Sequence, residues 1–306
     1  MPSPPTEQWR HQDYVFSAPS LAAGALLQAI PFQLDADYPF ELHGIAARVP
    51  YNSTVGANFG TQAGLNLISM RWSGPTQNYR QDALVPLPLL LGPYFGQVGN
   101  PRPVYPAQRW PRSGVINLDL QNNGPNTITG LQIVFRGVKV GPMGSWNTYT
   151  YPAKVTRTLP FWYPSGAGPA IPTLTLGVTQ NLTNVLFTPD NDSDFVLWFG
   201  QAGPDTGTYE VFFTMKDDGF KPYSNAPVHA DILFGRSGFP AAFPVGASSY
   251  VAPVGPGASQ PGLFVPEIYL PKNNRMFFDV QRSDAAYAGA GSVTYPLTLG
   301  GMKVFS

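Results

Sequence analysis

Asp190, Asp192 and Asp194 stand at alternate positions of the stretch DNDSD. Carboxylates spaced this way in a turn can converge on Ca²⁺, which takes about six to eight oxygen ligands. An EF-hand is excluded, because Phe195 follows the third acidic position and no matching Glu lies nearby. What is left is an irregular loop site, or a turn whose Asp and Asn side chains cap their own backbone. A matching stretch, DAD at 35–37, carries fewer carboxylates and favours the turn. No metal is therefore expected, and these three aspartates are the one Ca²⁺ candidate.

Other chemistries find less material. The histidines are His11, His43 and His229, and no motif holds two of them, so a histidine metal site or a His-based triad has little support. GxSxG, Walker A and Rossmann glycine patterns are absent. A glycosidase needs paired carboxylates about 5 to 10 Å apart in a cleft. Here Glu is confined to Glu7, Glu41, Glu210 and Glu267, and the aspartates fall mostly in turn-like contexts. Trp72, Trp110, Trp146, Trp162 and Trp198 could stack on sugars, although Trp in such strands belongs more often to the core. Cysteine is absent, which removes disulfides, thiolate ligands and cysteine nucleophiles together. The expectation is a chain without catalytic residues or cofactor.

The elements that position these residues are strands. Gly (32) and Pro (34) make up about a fifth of the chain, against roughly 12% in average proteins, and they are spread along nearly its whole length. Proline in a helix interior costs about 3 kcal/mol, so few windows can hold a long helix. The stretches between alternate with period two: Leu118 and Leu120 among Asn117, Asp119 and Gln121; Leu131, Ile133 and Phe135; Phe195, Leu197 and Phe199. The fold class is all-β, with antiparallel sandwiches.

The sandwich is written twice. RWPRSGVINLDLQ (109–121), running on to IVFRGVKV (133–140), matches YLPKNNRMFFDVQ (269–281), running on to LGGMKVF (299–305). Asp119 and Gln121 meet Asp279 and Gln281, and the Gly-x-Lys-Val ending at Gly137, Lys139 and Val140 meets Gly301, Lys303 and Val304. Upstream, PFQLDADYPFEL (31–42) matches LFTPDNDSDFVL (186–197), and ISMRW (68–72) matches FTMKD (213–217). The chain is thus predicted as two tandem antiparallel β-sandwich, jelly-roll-like units related by internal duplication. Residues 1–27 form an N-terminal arm, 28–140 the first unit, 141–180 an aromatic, Pro-rich connector and 181–306 the second unit. Val115–Asn122 and Leu131–Val140 read as a closing hairpin joined by an Asn/Gly/Pro turn.

The surface points to assembly. Charged residues make up 12% of the chain and balance at 18 basic and 18 acidic, where an average soluble protein carries about 25%. No field for nucleic acid or membrane results. No signal peptide is expected, and the apolar run LAAGALLQAI (21–30) is too short to span a bilayer. The arm residues Trp9, Tyr14 and Phe16 and the connector residues Trp146, Trp162 and Tyr163 are the predicted partner-binding groups.

The segment RWPRSGVINLDLQNNGPNTITGLQIVFRGVKV and its second copy, each a strand, a turn, a further strand and a terminal Gly-x-Lys-Val, resemble the tandem β-sandwich proteins of tailed-bacteriophage particles. That resemblance covers most of the chain at the level of architecture. It implies a virion structural role, as a head decoration, minor capsid or collar component assembled in the host cytoplasm. Its partners would be copies of itself and other virion proteins. The alternative is a carbohydrate- or receptor-binding module of a tail or fibre, with a glycan as ligand.

Overall fold

The computed structural model describes residues 7–49, 67–75, 81–87, 90, 102–145, 155–166, 168–177, 180–202, 210–234, 262–283 and 292–306. The first unit is built from β1 (Glu7–Ser17), β2 (Leu26–Gln33), β3 (Phe40–Arg48), β4 (Ile68–Ser73), β5 (Val85–Pro86), β6 (Arg102–Trp110), β7 (Val115–Asn122) and β8 (Gln132–Pro142). These strands form two antiparallel four-stranded sheets in the orders β1-β8-β3-β6 and β2-β7-β4-β5. Eight strands in two such sheets make a jelly roll.

The second unit repeats the pattern. Its strands are β9 (Arg157–Pro164), β10 (Leu174–Leu176), β11 (Asn181–Phe187), β12 (Asp194–Ala202), β13 (Glu210–Lys216) and β14 (Val228–His229). After the short helix α1 (Ala230–Phe234) come β15 (Gly262–Leu270), β16 (Met276–Ser283), β17 (Val293–Tyr295) and β18 (Leu297–Phe305). Its sheets run β9-β18-β12-β15 and β11-β16-β13-β14, with β10 and β17 as a separate two-stranded ribbon. The chain is all-β and holds two jelly rolls in tandem.

Proline is compatible with these sheets because of where it falls. Pro31, Pro86, Pro103, Pro106, Pro160, Pro164 and Pro266 lie on edge strands, where a missing N–H need not break a ladder. The inner strands carry none except Pro142, the last residue of β8. Between the sheets lie two aromatic cores. Tyr14, Phe40, Trp110 and Phe135 fill the first, and Phe187, Phe195, Phe213 and Phe278 fill the second. Edge-to-face contacts recur in both: Tyr14 on Phe40 at 4.8 Å and Tyr163 on Phe195 at 5.0 Å.

Two sequence expectations change here. The segment expected as an arm contains β1, which pairs with β8 along its whole length and buries Tyr14 and Phe16 in the first core. It is built into the sheet rather than laid on a neighbouring subunit. The expected hairpin does not form either, since β7 and β8 belong to opposite sheets. The cause is local. The Asn122 side-chain amide donates to the carbonyls of Leu21, Ala22 and Asn126 at 3.0, 3.1 and 2.7 Å, tying the end of β7 to the incoming chain while the loop crosses the core. The expected connector likewise supplies β9, the edge strand beside β18.

Candidate functional site

The repeated Asp and Lys motifs build the same clamp twice. Lys139 donates to Asp35 at 2.5 Å and Asp37 at 2.9 Å; Lys303 donates to Asp190 at 2.5 Å and Asp192 at 3.2 Å. Each clamp is backed by a buried tyrosine whose hydroxyl oxygen accepts the backbone N–H of the first aspartate, Asp35 to Tyr14 at 3.2 Å and Asp190 to Tyr163 at 3.1 Å. Burial pushes both phenols above their ordinary range. Burial alone would lower the Lys303 ammonium, but its hydrogen bonds to Asp190 and Asp192 outweigh that and hold it raised.

This geometry places a lysine ammonium between two of the three aspartates that the sequence offered to Ca²⁺. The ammonium of Lys303 sits where a cation between Asp190 and Asp192 would sit, and Asp194 is turned away to Tyr269 and to the Lys272 N–H. Among the described residues no group of three His, Asp or Glu side chains could hold a metal ion. The motif is a turn lock.

Asp119 and Asp279 are duplicated locks of a second kind. Each accepts the N–H of a residue with positive φ at a bulge in the neighbouring edge strand, Ala29 (φ 51°) at 2.8 Å and Asn184 (φ 53°) at 2.9 Å. Each is also paired with a cation from the strand on its other side, Arg71 or Lys216, at 2.5 Å. Gly137 and Gly301 are fixed by space. A Cβ on either would lie 1.9 Å from a backbone oxygen, that of Glu41 or of Val196.

The polar cluster that sequence reasoning missed lies between the units. Arg136 on β8 grips Asp13 on β1 with Nε and Nη2, each 3.0 Å from a carboxylate oxygen. His11 Nε2 lies 3.5 Å from Asp13, and His11 Nδ1 has no hydrogen-bond partner among the described residues. A second group joins Arg48 of the first unit to Glu210 and His229 of the second. Gln132 closes the seam by accepting the His229 N–H and donating to the Pro227 carbonyl, both at 2.9 Å.

Along the outer edge of β1 the second unit adds a short strand-like segment. The Asp13 backbone N–H donates to the Tyr223 carbonyl at 2.7 Å, and the Asn225 side-chain oxygen accepts from the Val15 N–H at 2.6 Å. Arg10 reaches across to Asp217 at 3.1 Å and lies over the Tyr223 ring. Val15, Ala46 and Val134, on the outer face of the first unit's sheet, join the second unit's apolar core.

These buried charges are poor catalysts. Burial would raise the Asp13 and Glu210 carboxyls, but their partners prevail: Arg136 and His11 hold Asp13 well below the usual range, and Arg48 and His229 hold Glu210 at about 2. A general base needs a pKa near the working pH and a proton within reach. Both carboxylates are already engaged and are sealed from solvent. The cluster is a lock between the units.

Of the predicted partner-binding residues, Tyr14, Phe16 and Tyr163 lie in the cores, while Trp9 (59% exposed) and Trp162 (54%) face outward. Trp146 lies outside the described residues. Trp72 and Trp110 are buried, and Trp198 is exposed at the bulge of β12. No helix among the described residues is long and apolar enough to cross a membrane.

No protein-family model matches the sequence, and no curated protein matches it. Among solved structures, the chain is similar to the infectious bursal disease virus VP2 subviral particle at 9% identity, covering 98% of this chain and 72% of that one with a TM-score of 0.26. A structure of the infectious bursal disease virus Gx strain matches at 10% identity, over 99% and 73% of the two chains, with a TM-score of 0.25. The STIV MCP matches at 13% identity, over 96% and 97%, with a TM-score of 0.24.

Proposed function

We propose that this chain is a non-enzymatic structural subunit of a virus particle, working through contacts with copies of itself and with other virion proteins. The observation that carries this reading is that the duplicated aspartates and lysines and the buried ion pairs described above are engaged in holding the fold. The Lys–Asp clamps lock turns, Asp119 and Asp279 lock bulges, Asp13 and Arg136 pair under the second unit and hold its Tyr223 and Ile232 carbonyls, and Arg48 binds Glu210 across the seam. What remains outward is a weakly charged surface with large apolar side chains at Trp9, Leu159, Trp162 and Trp198. A capsid or minor capsid position suits two rigidly joined jelly rolls better than decoration or a collar, because both offer long sheet faces to neighbours.

Mass spectrometry of purified particles, with labelling by an antibody to the folded chain, tests the reading. Detection as a stoichiometric particle component is expected; confinement to soluble cell fractions would sink it. Jelly rolls also serve as lectins, and exposed Trp162 and Trp198 give a carbohydrate-binding reading its specific support. Glycan-array binding that is lost on replacing these two residues, without incorporation into particles, would favour that second reading.

A further inference from the structure

Strand register gives the equivalence between the two rolls residue by residue. In the first, Arg136 pairs with Asp13 on one side and Gly44 on the other. In the second, Gly300 pairs with Trp162 on one side and Phe199 on the other. The outward-facing trio Asp13, Arg136 and Gly44 is thus replaced by Trp162, Gly300 and Phe199. The Phe199 ring lies where a Cβ on Gly300 would be, with its Cζ 2.1 Å from that position, so an aromatic ring covers the site from which Arg136 extends in the first roll.

The two faces differ in what covers them. In the first roll, the outer edge of β1 carries the 223–225 segment of the second roll, and the sheet face is sealed by the buried ion pairs and by apolar groups of the second unit. In the second roll, β9 pairs only with β18 among the described residues. Trp162 and Pro160 on its outward face are exposed, and Phe199 and Met302 beside them are half-buried. Pro160 and Pro164 blunt strand-to-strand pairing on this edge, so what β9 offers a neighbour is its apolar face.

We infer that this face of the second unit, centred on Trp162 and Phe199, is the docking site for a second copy of the chain, which presents its first unit there. The inference deepens the structural-subunit reading and rests on it. The occupant follows from continuity with the interface already inside the chain: a jelly roll of this design accepts another jelly roll on the corresponding face. Repeating that step between chains joins the second unit of one copy to the first unit of the next. Such a head-to-tail contact is heterologous and generates a ring or an open array. The change from ions to aromatics fits the change in task. Within the chain the two rolls are tethered and ions set the register. Between chains association depends on buried apolar area, and Trp is a frequent anchor.

The test uses the full chain. Sedimentation velocity over a range of concentrations is measured for the wild type and for Trp162→Asp, with circular dichroism confirming that the exposed substitution leaves the fold unchanged. In parallel, a benzophenone amino acid is placed at position 162, and the photo-cross-linked peptides are identified by mass spectrometry. Expected are a self-associating wild type, association at least about 30-fold weaker in Trp162→Asp, and cross-links from 162 to first-unit peptides of another copy. Undiminished association of the variant, or cross-links to second-unit peptides or to a different protein, would overturn this docking site while leaving self-assembly standing. A wild type that stays monomeric at every concentration would count against the structural-subunit reading itself.

Discussion

Asp13 and Trp162 occupy the same position of the same strand in the two jelly rolls, yet one is buried in an ion pair and the other is exposed. Asp13 faces the second unit and meets Arg136 there. Trp162 stands on the outward face of β9 and is exposed. Equivalent positions of two like rolls thus carry unlike groups, a buried carboxylate and an exposed indole.

The lock between units is expected to fail in acid. Asp13 and Glu210 have folded-state pKa values depressed below those of the unfolded chain, Glu210 to about 2. Their stabilisation is therefore complete above the unfolded value of about 4. It is lost as pH falls from there through the folded values. Urea midpoints recorded by Trp fluorescence should drop steeply below pH of about 4. Asp13→Asn, which removes the carboxylate that neutralises the buried Arg136 guanidinium, should cost about 3–5 kcal/mol at neutral pH and flatten the acid limb. A wild-type midpoint indifferent to pH between about 5 and 2 would contradict the assignment.

The Lys303 clamp gives a metal prediction and a stability prediction. Excess Ca²⁺ or a chelator should leave the melting temperature unchanged, because the ammonium already bridges Asp190 and Asp192. A rise of several degrees on adding Ca²⁺ would show that the carboxylates open to the ion. Lys303→Ala should cost about 1–2 kcal/mol, since the lysine is buried but both aspartates are well exposed and screened. Lys139→Ala should behave alike, and the two losses should add.

Gly137→Ala and Gly301→Ala are expected to be severe, because a Cβ there meets a backbone oxygen at 1.9 Å. Gly24→Ala, at φ 68° with open space around it, should cost only about 1 kcal/mol. Soluble yield and thermal melts of the three variants separate the cases; equal behaviour would refute the close approach.

Deleting residues 1–17 removes an edge strand together with Tyr14 and Phe16 from the first core. Loss of cooperative unfolding in the first unit is expected. A truncated chain with native circular dichroism and an unchanged melt would restore the independent arm inferred from sequence.

The architecture was legible where the sequence repeats. Asp35, Asp37 and Lys139, with Asp190, Asp192 and Lys303, could be matched as motifs because both copies need the same turn lock. Tyr14 and Tyr163 belong to those locks but escaped, since the strands around them carry unlike partners: Gln12 and Asp13 in one, Phe161 and Trp162 in the other. The same divergence made β1 read as an arm and β9 as a connector. Asp13, Arg136, Arg48 and Glu210 left no local signal, because their pairings join residues far apart in the chain, Asp13 to Arg136 across the first unit's sheet and Arg48 to Glu210 between the units. The part of His11, His229 and Glu210 in the seam between the units was visible only in three dimensions.

The central claim is that this protein is a building block of a virus particle, and its copy number in purified particles tests that most directly. Quantitative mass spectrometry against an isotope-labelled standard should find many copies per particle, in fixed ratio to the other coat components. Absence from the particles, or trace amounts that vary between preparations, would contradict it.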